Sequence, residues 1–421
     1  MAPEATTTRP DALPLRAQEL AQLLPDSLAP PIERLAKRVA RSPLALLWGT
    51  VPLERLTGPV DGDGTLARVL VAGRSPAIQG LLRDLFAESP QREALGRCPL
   101  FRLPRLFRDG SSACHLLVAR VPSGAGAWLF RDGVLRLPEL VGAAIDVPPP
   151  GARWPRTRSA RSNLRTIRAH GLRWTLSRDP ADFTRFYDDL YLPYLRMRFG
   201  AAAAVRPRAE PARRFGRGAL MWIWQGETLV AGVLVEVEGD TLTCELLGAV
   251  PSEKAARAAG ALAATTLFPV EHAIELGLKR VSLGGNQPFL ADPVLQSKRY
   301  SGAVLTWRAR TDHDLVLSWP WWHPAVRALL AKRAPIHRVD RRFIGLAVAT
   351  DEERAQLSRL AVPGLAGLAL IGGEPQAESQ TSDGLPVVRL TPASARELAH
   401  ALAEALRPVH LAPSRRLINK P

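Results

Sequence analysis

Apolar and polar positions change rhythm several times along the chain. Residues 67–73 read ARVLVAG, a β-branched apolar run closed by glycine. Residues 75–86 then place Ile78, Leu81, Leu82, Leu85 and Phe86 at the spacing of one helix face. Residues 100–107 and 114–121 read as further strands, and 128–137 as a hairpin turning on Asp132-Gly133. This α/β pattern closes near Val147, and Pro148-Pro149-Pro150-Gly151 is a stiff boundary.

A second pattern begins at Gly171. A strand at 172–177 leads into a helix that opens at Asp179-Pro180 and runs to Met197. Its Phe183, Phe186, Tyr187, Leu190 and Tyr191 fall on one face, which marks a core stripe. Three strands follow at 219–224, 228–237 and 241–250, with turns at Gly226 and Gly239-Asp240. A long helix is expected over 255–276, stopped by Gly277. A short strand at 280–283 ends in Gly284-Gly285-Asn286, and a helical or looped stretch reaches Tyr300. Strands at 303–310 and 314–319 are expected with a turn at 311–313 between them. The end of the chain offers strands at 365–371 and 386–390 and a helix at 393–406, a small α/β unit or docking extension. The division that results is a partly helical lead-in (1–45), an α/β domain (46–150), a second domain (151–345) and the extension (346–421).

At 421 residues the chain exceeds the size of one ordinary core, which fits this division. There are 56 basic and 40 acidic residues, a net charge of +16, and fifty of the basic residues are Arg. That ratio of Arg to Lys reflects coding bias, yet the surplus of charge still favours anionic partners. Between Arg153 and Arg217 sixteen Arg stand against five acidic residues, a net +11. Such a tract is either a set of solvated faces or a platform for a phosphate-bearing ligand. Cys98, Cys114 and Cys244 form no CxxC pair, so neither a disulfide framework nor a zinc knuckle is expected. The first twenty residues carry no apolar signal core. The longest uncharged stretch, 360–373, falls short of the ~20 residues needed to cross a bilayer. A soluble, cytoplasmic protein is expected.

The order of elements from Gly171 to Trp319 resembles the GNAT N-acyltransferase fold. The segments RSNLRTIRAHGL (161–172) and GLKRVSLGGNQPFLADPVLQSKRYSGA (277–303) resemble the Fem-type (FemAB-like) branch, which sets two GNAT-like units in tandem. The resemblance implies an α/β (α+β) fold of tandem mixed sheets flanked by helices, with a degenerate N-terminal unit and a catalytic C-terminal one. It also implies acyl-CoA, acetyl-CoA included, as co-substrate, with its pyrophosphate at the N-terminus of the long helix, where unpaired N–H groups suit an anion. The family pattern there is a basic or Gln residue, two of any kind, Gly, one of any kind, then Gly or Ala. Here it reads Arg257-Ala258-Ala259-Gly260-Ala261-Leu262, which matches at Arg257 and Gly260 and departs at Leu262. The binding residues implied are Val250, Arg257, Ala258, Gly260, Ala261 and Lys298, the last heading a Lys-x-x-x-Gly ending. Asn286 and Tyr300 stand where the family lines the acyl-pantetheine opening, and Tyr300 is the candidate acid for the departing thiolate. Glu245 is the candidate base, with Glu236 and Glu238 as rivals.

The activity this implies is direct attack of an amine, on a small molecule or a peptide, on the thioester, without a metal. Two alternatives stand beside it: aminoacyl-tRNA-dependent peptidyl transfer, for which the +11 tract would suit an acceptor stem, and a non-catalytic binding module. His313, His323 and His337 lack metal-ligand spacing. Trp319, Trp321 and Trp322 read as an aromatic lid over a sheet end, with an acyl-chain pocket as the rival assignment. No G-x-S-x-G elbow, Walker loop or dinucleotide fingerprint occurs.

Overall fold

The computed structural model describes residues 49–405 apart from 84, 109–113, 124–128, 131–133, 150, 153, 156, 201–204, 251–259, 308–312, 340–341, 373–378 and 382–383. The first elements are β1 (Thr50–Pro59), β2 (Leu66–Ala72), α1 (Pro76–Leu82), β3 (Gln91–Pro99), α2 (Leu103–Arg108), β4 (Leu116–Pro122), β5 (Leu135–Pro138) and β6 (Val141–Asp146). Then come α3 (Arg158–Ala169), β7 (Leu172–Ser177), α4 (Pro180–Arg185), a π-helical turn (Phe186–Tyr191), α5 (Leu192–Phe199) and α6 (Ala209–Phe215). They are followed by β8 (Ala219–Gln225), β9 (Thr228–Glu238), β10 (Thr241–Ala249), α7 (Ala261–Glu275), β11 (Arg280–Asn286), α8 (Pro293–Tyr300) and β12 (Val304–Thr306). The remaining elements are β13 (His313–Ser318), α9 (Pro324–Arg333), β14 (Ile336–Val339), β15 (Arg342–Val348) and α10 (Glu353–Leu360). Last are β16 (Gly367–Ile371), β17 (Ser379–Gln380), β18 (Pro386–Leu390) and α11 (Ala395–Ala405).

These elements form two compact units, one made of the described residues of 1–139, 310–358 and 366–421, the other of those of 140–309 and 359–365. The chain passes between them at Glu139/Leu140 and again between Trp307 and His313, rather than at the proline-rich boundary or at 345. The reason is strand pairing. β6, which precedes the prolines, joins the second unit's sheet, ordered β12-β6-β11-β10-β9-β8-β7, and β13 joins the first unit's sheet, ordered β3-β1-β2-β4-β13-β5.

Both sheets follow one plan. Antiparallel strands lead to a parallel pair, β2 with β4 in the first and β10 with β11 in the second. Beyond the later parallel strand comes a strand from a distant part of the chain, then a short outer strand. The α/β fold of mixed sheets flanked by helices is thus present in both units. The first unit also contains a five-stranded sheet, β14-β15-β16-β18-β17, so the C-terminal α/β pattern pairs with β14 and β15 instead of standing as a separate extension.

Several local expectations change. Residues 100–107 are helical, a 3-10 turn at Leu100–Arg102 and then α2, because the apolar Leu100, Leu103 and Leu106 recur every third residue and Pro104 suits a first turn. The expected hairpin at 128–137 is absent as a pairing: β5 pairs with β13, and Asp132-Gly133 lies outside the described residues. β12 and β13 do not pair either, since β12 adds to β6 and β13 lies between β4 and β5. The start of the long helix expected at 255 lies outside the described residues, and α7 is described from Ala261. Its C-terminus is closed as expected: Gly277 N–H donates to the Ile274 carbonyl at 3.1 Å and Leu278 N–H to the Ala273 carbonyl at 2.9 Å.

Within the second unit the aromatic stripe is core. Phe183, Phe186, Tyr187, Leu190 and Tyr191 gather with Leu220, Trp222, Leu234 and Leu246 from the sheet. Gly248 on β10 permits the close approach, since a Cβ there would stand 2.7 Å from the Tyr191 nitrogen. No helix among the described residues is long and apolar enough to cross a membrane.

Candidate active site at the fork between β10 and β11

β10 and β11 pair only from Thr241–Thr243 to Arg280–Ser282. Beyond that point β10 continues along β9 to Ala249 and β11 along β6 to Asn286, so the two strands part and face each other with unpaired edges. A backbone edge of this kind offers N–H and C=O groups to an extended ligand. Gly284 makes the departure: its φ of +75° is a left-handed conformation, and a Cβ would lie 3.3 Å from the Cys244 carbonyl oxygen. At the same place Lys298, on α8, donates from Nζ to the Leu283 carbonyl at 2.6 Å.

Asn286 ends β11 and is 4% exposed. Its Nδ2 reaches the Val141 carbonyl at 3.4 Å, and its Oδ1 is buried with no hydrogen-bond partner among the described residues. A buried amide oxygen left without a donor costs about 1–3 kcal/mol, so a ligand N–H at this point would recover real stabilisation. Burial pushes the Cys244 thiol up to about 12, against the pull of the Lys298 charge, so this cysteine is a protonated wall of the fork and a poor nucleophile. Asp292 caps α8 by accepting from Val294 and Leu295 N–H at 3.4 and 3.2 Å, and burial raises its pKa.

Glu245 sits on β10 where the register against β9 slips between Cys244 and Leu246, the extra residue of a bulge. Its side chain is 5% exposed and engaged on both oxygens, by Arg214 at 2.7 Å and Arg206 at 2.9 Å. Arg214 also meets Glu236 at 3.1 Å, and Arg217 closes the chain on Glu236 at 2.7 Å. Of the rival carboxylates, Glu236 is therefore buried in the same network, while Glu238 lies 3.9 Å from Arg214 and is 44% exposed. The backbone of Arg206 is pinned too. Tyr187 donates its hydroxyl to the Arg206 carbonyl at 2.6 Å, and the Arg206 N–H donates to the Tyr191 hydroxyl at 3.3 Å. Burial raises the pKa of both phenols, which keeps them as donors and acceptors rather than anions.

The remaining candidates are spread more widely. Gly260 is the N-cap of α7 in a left-handed conformation, its Cα turned to Ile167 and Thr166 of α3, and Ala261 is fully buried behind it. Val250 donates its N–H to the Val230 carbonyl at 3.1 Å at the end of β10. Arg257 and Ala258 lie outside the described residues. Tyr300 ends α8 and is 49% exposed; its carbonyl accepts from Thr157 Oγ1 at 2.7 Å, and Arg299 stacks over its ring. The structure brings Glu245, Lys298 and Asn286 to β10, β11 and the helix after them, and leaves the Tyr300 phenol at the surface. Sequence reasoning missed Arg206, Arg214 and Arg217 as partners of the two glutamates. The dense arginines of the +11 tract were the available signal.

Elsewhere the histidines and tryptophans have structural partners in the first unit. His323 caps α9 by accepting from Ala325 N–H at 3.1 Å and stacks on His115 at 3.8 Å. His337 is buried against the Arg136 backbone, and His313 lies 3.1 Å from Arg120. Trp319 is 1% exposed and donates to the Ala393 carbonyl, so it is core rather than lid, whereas Trp321 is half exposed. Among the described residues no three His, Cys, Asp or Glu are grouped to hold a metal ion.

No protein-family description and no curated protein sequence matches this chain. Distant similarity to solved structures does exist. L-PGS from Bacillus licheniformis aligns at a TM-score of 0.31 and 11% identity over 63% of this chain and 83% of its own. FemX aligns at 0.31 and 11% over 66% and 90%, and a GCN5-related N-acetyltransferase from Sphaerobacter thermophilus at 0.29 and 15% over 74% and 92%. Likeness this distant carries no weight for activity, which has to rest on the chain's own residues.

Proposed function

We propose that the second unit is an N-acyltransferase that takes an acyl group from acyl-CoA and passes it to an amine. The observation that carries this reading is the fork itself, a parallel strand pair opened by Gly284 with the unpartnered Oδ1 of Asn286 buried on one arm. An acyl-pantetheine arm is an extended chain of amides and fits between two unpaired strand edges. Its N–H groups would satisfy strand carbonyls and Asn286, and strand N–H groups would hold its carbonyls. On this reading the N–H groups of the first turn after Gly260 would meet the pyrophosphate, and Val250, Arg257, Ala258 and Ala261 are the residues assigned to its binding.

In the reaction the amine nitrogen attacks the thioester carbon and the C–S bond breaks. A backbone N–H at the fork stabilises the developing oxyanion. The amine gives up one proton and the thiolate takes one. Tyr300 is the acid this reading offers to the thiolate. Glu245, held by Arg206 and Arg214 on its two oxygens, is the base this reading offers to the amine. Lys298 holds the arm of the fork that carries Asn286.

Titration calorimetry with acetyl-CoA and with a long-chain acyl-CoA tests the reading. Micromolar binding that falls at least tenfold in Gly260→Trp supports it. Absence of binding to both donors overturns it.

A further inference from the structure

Arg158, Arg161, Arg165 and Arg168 are spaced three, four and three residues apart on α3. At 100° per residue they lie within one quarter of the helix circumference and form a straight row. Ala160, Leu164 and Ile167 form the buried face beside it. None of the four arginine side chains makes a hydrogen bond or an ion pair with a described residue; the carboxylate that Arg168 influences is Glu271.

The row works against the helix that carries it. Like charges at these spacings repel, and cations in a first turn oppose the helix dipole; this first turn holds no acidic residue. Arg158, Arg161 and Arg165 stand without a carboxylate partner among the described residues, and with Arg168, which Glu271 partly offsets, they make a row complementary to an anionic partner from outside.

A groove of about 410 Å³ adjoins the row, lined by Leu164, Ile167, Leu172, Trp174 and Phe268 with Arg168, Arg173 and Glu271 among its polar groups. Glu271 is partly buried, and burial raises its pKa. A partner that is anionic throughout would bring its charge against this carboxylate. A polypeptide can set carboxylates on the row and an apolar or hydrogen-bond-donating side chain in the groove.

We propose that the arginine row of α3 and the groove beside it form a docking surface for an acidic amphipathic helix of a partner protein. Arg is suited to this, since its planar fork pairs with a carboxylate in bidentate fashion. Glutamates spaced three, four and three residues apart on the partner match the row one for one, and the next apolar side chain reaches the groove. This inference stands independently of the acyltransferase reading.

The test uses the full chain and four probes: a helical peptide with glutamates at that spacing and an adjoining Tyr, the same composition scrambled, a single-stranded RNA oligonucleotide, and vesicles containing phosphatidylglycerol. Binding is read by fluorescence anisotropy for the peptides and RNA and by sedimentation for the vesicles. The patterned peptide is expected to bind more tightly than the scrambled one and to lose roughly tenfold in affinity in the R161E/R165E double variant, as two reversed surface pairs imply. Neither side chain forms a hydrogen bond or an ion pair with a described residue, and reversing two charges relieves repulsion within the row, so the thermal melt of the variant should stay close to that of the parent chain. Equal binding of the scrambled peptide, insensitivity to R161E/R165E, or tighter R161/R165-dependent binding of the RNA or the vesicles overturns the proposal.

Discussion

Lys298 donates its ammonium to the Leu283 carbonyl at the residue after β10 and β11 stop pairing. A charged hydrogen bond of this kind contributes about 1.5–3 kcal/mol, enough to decide how a strand end is held. With Gly284 beyond it in a left-handed conformation, the arm of β11 is set from two consecutive residues. Lys298→Met removes the donor and leaves the carbonyl without it. Affinity for acyl-CoA, measured by calorimetry, is expected to fall about tenfold or more, with partial recovery in Lys298→Arg.

The two guanidinium groups on Glu245 give a second prediction. Glu245→Ala strips Arg214, which is 12% exposed, of one of its two close carboxylate partners. Breaking a buried pair on one side costs about 3–5 kcal/mol, and urea unfolding of the purified variant should show a loss of that order. Glu245→Gln retains acceptor capacity and should lose less stability while losing the acyl transfer proposed above.

Acid should weaken the first unit through His337. Burial lowers its pKa to about 4, below the ordinary value of 6.5. A depressed value means that the folded state resists a proton which the unfolded chain accepts below 6.5. Stability is therefore complete above that pH and declines as the pH falls toward 4. By pH 5 the loss is about 2 kcal/mol. Thermal melts at pH 7 and pH 5 should show the decline, and His337→Gln should reduce the difference between them. His115 and His323, also lowered by burial, act in the same direction.

Charge reversal at the start of α3 should stabilise the second unit. Thr157 already caps the helix by accepting from Ala160 N–H at 3.1 Å, and Arg158 follows at the first helical position, where a cation is disfavoured. Arg158→Glu is expected to add about 0.5 kcal/mol, seen as a small rise in melting temperature that fades with added salt.

The local patterns in the second unit were legible because they depend on near neighbours. The turns at Gly226 and Gly239-Asp240, the cap at Asp179 and the stop at Gly277 are each settled within a few residues, and the three strands between alternate or run apolar as a half-buried sheet requires. β1 and β3 went unread for the opposite reason. Their positions are mostly exposed or half-buried, and β3 carries Arg92, Glu93 and Arg97 as an outer strand, so no alternation marks them.

The candidate site was legible in part. Residue order was enough to reveal the mixed α/β character, the glycine pair ahead of Asn286, the carboxylate on the third strand of the triplet and the concentration of arginine between 153 and 217. It could not show which sheet would receive β6 or β13, because a strand's partner is chosen by burial and hydrogen bonding across more than a hundred residues. Asn286 meets Val141 at a separation of 145 residues, and Glu245 meets Arg206 at 39 and Arg214 at 31. The folded arrangement alone made Glu245 an ion-paired side chain and left one oxygen of Asn286 without a donor among the described residues. Charge and hydrogen-bond capacity are written in the residue type, but whether they are satisfied depends on what the folded chain brings within about 3 Å.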